Sequence, residues 1–341
     1  MEFTFGICTY NSGKFIIQTL ESIKYQVITY GEDVSSLLIV SDDASTDNTV
    51  SLVKYWIEEN KELFFESRVL TNDCNLGIAH NYSKLMANIN TEYFKTIDGD
   101  DLLSSVNIYA QIKNVINNNL CVFFPLRFNK SGIYIAENDY YNMFYYYKIQ
   151  HEHKKDLWNL ETVKPFITPE ICYLRHFFDK ETETFVKEYT QFEDDTTLYA
   201  IFKKNKDMRL EIFLEPMILY RVHENSLSNG KENASQIKFL DDLHKFKKVL
   251  FKQERNILIK LILMTDLFDT FRMKHRFDTK KSVHRMIENY YMNKRKKKAE
   301  SYDEYGNYKI AIDEYKEREV RHLDYIYEKA IEFEKIYSEK A

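Results

Sequence analysis

The first hundred residues alternate short apolar runs with stretches whose apolar positions recur at three- and four-residue steps. Phe3-Thr4-Phe5-Gly6-Ile7-Cys8 reads as a strand, and Phe15, Ile16, Leu20 and Ile23 then fall near helical spacing. Ser36-Leu37-Leu38-Ile39-Val40 reads as a buried strand, with Val50, Val53 and Ile57 marking the next helix. Arg68-Val69-Leu70 reads as a third strand, followed by a helix around Tyr82–Ile89. Tyr93-Phe94-Lys95-Thr96-Ile97 reads as a fourth, running straight into Asp98. Strands and helices alternating at these lengths predict an α/β fold, a mostly parallel sheet covered by helices on both faces. Ligands of such sheets bind beyond the carboxyl ends of the strands, so chemistry is expected in the polar clusters that follow them.

Beyond residue 100 the pattern changes. Residues 121–192 are less regular and include Tyr140-Tyr141-Asn142-Met143-Phe144-Tyr145-Tyr146-Tyr147. Packing in the core or a hairpin is the expected use of this run, with an exposed platform for a sugar ring as the alternative. From about Ser235, Ile237, Leu240, Leu243, Phe246, Val249 and Leu250 recur at helical steps. No proline follows Pro216 and only Gly230 and Gly306 interrupt the remainder, which predicts an α-helical C-terminal appendage. The expected division is residues 1–230 and 231–341, in keeping with a 341-residue chain.

Charge separates the same two parts. Residues 1–230 carry a net charge of −11 and residues 231–341 one of +6. The acidic front argues against a general nucleic-acid binder, which needs basic charge to displace counterions, but not against a nucleotide held through a divalent metal. The N-terminus lacks a basic stretch followed by a long apolar run, and no window reaches the length of a membrane span. Cys8, Cys74, Cys121 and Cys172 show no metal-ligand spacing and are expected as reduced, mostly buried thiols. A cytoplasmic location is expected, with the inner face of the cell membrane a further option.

Four polar clusters follow the strands. Asp98-Gly99-Asp100-Asp101 places three carboxylates in four residues, costly unless a cation neutralises them. Hard oxygen ligands of this kind suit Mn²⁺ or Mg²⁺, which in turn bind phosphates. An acidic turn with a helix cap at Asp101 is the bland alternative. Asp42-Asp43-Ala44-Ser45-Thr46-Asp47 follows the second strand; a cap explains Ser45 or Asp47, but not the Asp pair at the strand end. A carboxylate there can accept a hydrogen bond from a base N–H. Thr9-Tyr10-Asn11 offers a ring for stacking on a base, and Asn75-Leu76-Gly77 with His80 and Asn81 forms a polar turn entering a helix.

In this order and spacing the clusters resemble the family 2 inverting glycosyltransferases of GT-A fold, over residues 1 to about 228. The resemblance implies that Thr9, Tyr10 and Asp42 contact the nucleotide base, with Asn11, Asp43, Asn75, Gly77, Asn81 and Gly99 around the nucleotide-sugar. It implies that Asp98 meets the ribose and that Asp98 and Asp100, as the DxD-type motif, serve a metal-bound diphosphate. Cys8 stands where proline or another small residue is commoner. Residues 1–101 then form the nucleotide-binding part and residues 102–230 the acceptor-binding part. Gln191-Phe192-Glu193-Asp194-Asp195 matches the acceptor-side acidic pair, with Asp194 as the implied base and Glu193 and Asp195 beside it. An acidic helix N-terminus is the structural alternative there. Tyr220-Arg221-Val222-His223-Glu224-Asn225-Ser226 is similar to the family's closing segment, which implies a metal contact for His223 and diphosphate contacts for Arg221 and Ser226.

The implied activity is metal-dependent transfer of a hexosyl or N-acetylhexosaminyl group from a nucleotide-diphosphate sugar, UDP-linked by preference, to a glycan or lipid-linked acceptor in surface-glycan synthesis. Two rivals stand beside it: a non-catalytic partner docking through its C-terminal helices, and a nucleotidyltransferase. The second lacks the glycine-rich basic loop such enzymes place after the first strand, where only Gly13 and Lys14 occur. Residues 236–298 hold 18 Lys+Arg against 7 Asp+Glu. That segment suits an anionic membrane surface, an acidic tail folded back on it, or a second copy of the chain. No base-reading module accompanies it, so nucleic acid is not an expected partner.

Overall fold

The computed structural model describes residues 1–113, 115, 120–151, 171–205, 208, 210–223, 234–274 and 282–340. Strands β1 (Glu2–Thr9), β2 (Ser35–Asp42), β3 (Glu66–Thr71) and β4 (Tyr93–Asp98) form a parallel sheet in the order β3-β2-β1-β4. They are linked by α1 (Ile16–Tyr30), α2 (Thr49–Glu59) and α3 (Ile78–Asn88), the last starting one turn earlier than the periodicity suggests. β1 and β2 are buried along almost their whole length, as expected of parallel strands covered on both faces. Leu38 and Val40 pack with Ile16, Leu20, Val53 and Trp56 of α1 and α2, whereas Ile39 packs with Ala79, Leu85 and Met86 of α3. Register aligns the carboxyl ends: Thr9 lies opposite Asp42, Asp42 opposite Thr71, and Cys8 opposite Asp98.

A second, mixed sheet is built from β5 (Leu102–Leu103), β6 (Leu120–Asn129), β7 (Gly132–Tyr134), β8 (Ile171–Tyr173) and β9 (Leu210–Arg221). β6 and β9 run parallel, with register shifts on either side of Phe124, which pairs with Pro216. Pro125 and Pro216 lack N–H donors, so the ladder slips there, and the same prolines hide the strands from pattern reading. Around this sheet lie α4 (Ile108–Lys113), α5 (Glu137–His151), α6 (Lys180–Val186) and α7 (Glu193–Lys204). The tyrosine-rich run is a helix rather than a hairpin, and Tyr141, Met143, Phe144 and Tyr146 are buried in the core.

The C-terminal region is α-helical: α8 (Ala234–Gln253), α9 (Ile257–Lys274), α10 (Val283–Glu300) and α11 (Tyr305–Lys340). It enlarges both hydrophobic cores, Phe246, Leu250 and Ile326 joining one and Ala330 and Phe333 the other. α11 packs along α1 and is fastened by Glu319, which is fully buried and accepts from the Ser105 N–H at 2.8 Å and hydroxyl at 2.6 Å. His322 donates to the Leu103 carbonyl at 3.1 Å. Cys8, Cys121 and Cys172 are buried and Cys74 is exposed, all four as free thiols. Among the described residues no helix is long and apolar enough to cross a membrane.

Glu319→Ala removes the acceptor of both Ser105 donors in a part-buried turn, so it is expected to lower unfolding free energy by about 2 kcal/mol. Urea unfolding followed by circular dichroism reads this, and an unchanged midpoint would refute the fastening role.

Candidate active site

The aligned strand ends bring the motifs of residues 9–11, 42–47 and 98–101 together. Thr9 and Asp42 are buried, while Tyr10 projects half-exposed at the rim. Asn11 and Ala44 both adopt positive φ, 51° and 63°. That geometry lets the Asn11 N–H donate to the Ser45 hydroxyl at 2.7 Å and the Thr46 N–H donate to Asn11 Oδ1 at 2.8 Å. Asp42 accepts from the Ser45 N–H at 2.8 Å, and Asp47 accepts from the N–H groups of Gly13 and Thr49, each at 3.0 Å. The loops after β1 and β2 thus form one hydrogen-bonded unit. Asp43, also buried, accepts from Asn72 Nδ2 at 2.7 Å and from the N–H groups of Leu76 at 3.0 Å and Gly77 at 2.8 Å. Its carboxylate therefore shapes the β3–α3 loop. Asn81 is likewise engaged by Ser41, donating to its carbonyl at 2.8 Å and accepting from its hydroxyl at 2.7 Å. Asn75 is exposed at the same loop.

The acidic turn after β4 is the most strained part electrostatically. Ligand oxygens of Asp98, Asp100 and Asp101 lie within 4.8 Å of one another. Burial, then the charges of Asp100 and Asp194, push the Asp98 carboxyl up to about 8. Burial, then the charges of Asp100 and Asp98, raise Asp101 well above the carboxylate range, although it accepts from the Arg221 N–H at 2.7 Å. Gly99 lets the turn close on β1: a Cβ there would sit 2.7 Å from Thr9 Oγ1. That hydroxyl is buried without a hydrogen-bond partner among the described residues. Crowded hard-oxygen donors and an orphaned hydroxyl beside them fit a divalent cation with a phosphate-bearing ligand.

Arg221 and His223 reach the turn from the end of β9. His223 Nε2 lies 2.8 Å from Asp100 Oδ2. Arg221 donates from Nε to the Asp100 carbonyl at 2.5 Å, from Nη2 to Gln18 Oε1 at 2.6 Å and from Nη1 to the Tyr327 hydroxyl of α11 at 3.3 Å. Its guanidinium lies over the rings of Phe15 and Phe128 at 4.6 and 4.4 Å. The resemblance implies a diphosphate contact for Arg221; here its guanidinium is buried against protein partners and staples the acidic turn. Ser226 lies outside the described residues.

Glu193, Asp194 and Asp195 fill the first turn of α7, where the helix dipole favours negative charge. Burial and the hydrogen-bonded Asp194 carboxyl hold Glu193 well above its ordinary range. Asp194 faces Asp98 closely enough to raise it, and its charge also reaches the Tyr82–Tyr173 pair, whose hydroxyls are 2.6 Å apart. The acidic pair of α7 and the acidic turn of β4 therefore border one site.

The family model of Glycosyl transferase family 2 matches residues 4–182, just over half of the chain. The chain belongs to glycosyltransferase family 2. The match covers the motifs from Thr9 to Asp101 and ends before Glu193 and Arg221. No curated protein matches the chain. Its fold is similar to that of S. aureus TarS 1-349 in complex with UDP-GlcNAc, at a TM-score of 0.55 and 15% identity over 80% of this chain and 73% of that one. TarS 1-349 in complex with UDP gives 0.53 and 16%, covering 82% and 74%. The mannosyltransferase PcManGT from Pyrobaculum calidifontis, in complex with GDP-Man and Mn²⁺, gives 0.51 and 17%, covering 78% and 69%. These likenesses show a GT-A-type sheet flanked by helices, here followed by the helical C-terminal region.

One residue of the glycosyltransferase site has no local signature in the sequence. Asp242 of α8 accepts, through a single oxygen, from the Thr190 N–H at 2.7 Å, the Thr190 hydroxyl at 2.9 Å and the Gln191 N–H at 2.7 Å. It thereby fixes the segment leading into Glu193. On the other side the Thr190 carbonyl accepts from the Ala79 N–H at 3.1 Å, and Gly77, at φ +92°, leaves it room: a Cβ there would come within 2.3 Å. Amphipathic periodicity marks α8 as a helix but cannot say which loop its one inward carboxylate will meet. Asp242→Ala is expected to lower kcat about tenfold with the donor KM unchanged, because only the acidic pair is misplaced. Asp242→Asn keeps an acceptor oxygen and is expected to restore most of the rate; a donor KM that rises with the loss of rate would refute the positioning role.

Proposed function

We propose that this glycosyltransferase is inverting and metal-dependent, and transfers a sugar from a UDP-linked donor to a hydroxyl of a glycan or lipid-linked acceptor in surface-glycan synthesis. The observation that carries the reading is that the Asp98–Asp101 turn and the Glu193–Asp194 pair border one site from opposite elements, β4 and α7. Inversion requires just such a division: charge compensation on the side of the leaving diphosphate, and a base at the acceptor hydroxyl that attacks from the other side.

Asp194 is the proposed base. Glu193, hydrogen-bonded to Asp194 and held well above its ordinary range by burial and the Asp194 charge, stands beside it at the start of α7. Asp98 and Asp100, with His223 beside Asp100, would hold Mn²⁺ or Mg²⁺. Such a cation, when bound, offsets the charge that grows on the departing diphosphate. Tyr10 at the rim stacks on the base, and Thr9 and Asp42 at the strand ends line it; Asn11, Asp43 and Gly77 set the loops around it, and Asn81 ties α3 to β2 behind them. UDP is favoured because a strand-end carboxylate suits a base N–H acceptor role, and TarS 1-349 binds UDP and UDP-GlcNAc. In this reading residues 1–101 bind the nucleotide, residues 102–230 the acceptor, and residues 231–341 form the helical region that supports them.

Asp100→Ala is expected to abolish Mn²⁺-dependent UDP binding in calorimetry, as is chelation of the metal from the unaltered protein. Unchanged UDP affinity with Mn²⁺ would sink the metal assignment. Asp194→Asn should keep donor binding and lose transfer by roughly 10²–10⁴-fold, the range of general-base contributions. Full transfer in Asp194→Asn with loss in Asp195→Asn would move the base by one residue.

A further inference from the structure

Helix α9 turns polar groups inward and apolar groups outward. Its buried side holds Leu263 but also Asp266, Asp269 and Thr270. Asp266 pairs with Lys247 at 2.6 Å and faces His284 at 3.4 Å; Asp269 accepts from the Ser282 hydroxyl; Thr270 shares a hydrogen bond with His244 at 2.8 Å. On the opposite side Ile257, Leu261, Met264, Phe268 and Phe271 step by four and three residues and are 45 to 74% exposed. At roughly 100° per residue these five fall on one narrow stripe. α10 exposes Val283, Met286 and Tyr290 at the same steps. Single exposed apolar residues are ordinary, but an aligned row opposite buried carboxylates makes a continuous apolar surface of the kind that docks on an apolar partner.

Charge selects that partner. The two helices carry nine Lys+Arg against four Asp+Glu. Of those acids, Asp266 and Asp269 are buried and Glu288 lies 3.4 Å from His284. Helical geometry puts Lys260 and Arg272 on the two margins of the α9 stripe, and Arg285, Lys294 and Lys297 are exposed on α10. A second copy seated on the stripe about a two-fold axis would bring these cations against one another. An anionic bilayer satisfies both features at once: the stripe enters the acyl boundary while flanking Lys and Arg reach lipid phosphates.

We propose that α9 and α10 form a docking surface for membranes containing anionic lipid. The docking itself is independent of the sugar chemistry; its use, delivery of the enzyme to a lipid-linked acceptor, rests on the proposed function. The test is co-sedimentation of the full chain with phosphatidylcholine vesicles, with and without phosphatidylglycerol. The unaltered protein is expected to sediment only with phosphatidylglycerol present, and less so at high salt. Leu261→Glu combined with Phe268→Glu should weaken partition at least about tenfold with the melting temperature retained, because both side chains are exposed. Phe268→Leu should bind normally, and Lys260→Glu with Lys294→Glu should lose the preference for anionic lipid.

Absence of vesicle binding, or undiminished binding by the double glutamate variant, overturns the proposal. A dimer in sedimentation velocity that the double glutamate variant dissolves also overturns it, in favour of a second copy. Vesicle binding without UDP binding would refute the proposed function alone, and UDP binding without vesicle binding would refute the docking surface alone.

Discussion

The structure is organised around negative charge gathered at one end of a parallel sheet. Parallel register leaves little freedom here: once β1, β2 and β4 pair, Thr9, Asp42 and Asp98 must end side by side. The chain answers the resulting repulsion in two ways. Asp42, Asp43 and Asp47 receive backbone N–H donors, which both compensates their charge and fixes the loops they hold. Asp98, Asp101 and Glu193 are instead held with raised pKa values by burial and neighbouring acids. The uncompensated part is where a cation and a proton-accepting group have work to do, so electrostatic strain and chemistry coincide.

The helical C-terminal region is part of that arrangement. α8 places Asp242 under the segment that enters α7, and Phe246 of the same helix packs on Tyr189 and Phe192. α11 supplies Tyr327 to Arg221 and Glu319 to the turn after β5. The acidic turn is thus reached from four directions: its own strand, the end of β9, α1 through Gln18, and α11. Loops positioned in this way by rigid elements keep reacting groups in place without depending on their own sequence for stability. α9 and α10 contrast with the rest, since among the described residues they present rows of exposed apolar side chains.

Legibility of the fold followed the strength of its periodicity. The four parallel strands and their helices were readable because each strand carries an apolar stretch, long in β1 and β2 and short in β3, closed by a polar cluster. The second sheet was not, because β6 and β9 contain prolines and a slipped register, and β5 and β8 are too short to show a period. The tyrosine-rich run was readable as core material but not as a helix, since aromatic residues occur on nearly every face of it.

For the site, the sequence by itself determined which residues stand at the strand ends and that carboxylates crowd there, because local spacing fixes position along a strand. It also marked Glu193–Asp195 and Arg221–His223 as clusters of interest. Only the tertiary structure decided that Asp43 holds the β3–α3 loop, that Asn81 ties α3 to β2, that Arg221 staples the acidic turn, and that Asp242 supports the segment before α7. Those roles depend on which atoms meet across separations such as the 52 residues from Thr190 to Asp242 and the 120 from Asp101 to Arg221. A hydrogen bond of that kind is selected by the packing of whole elements, and nothing in the local order of residues encodes it.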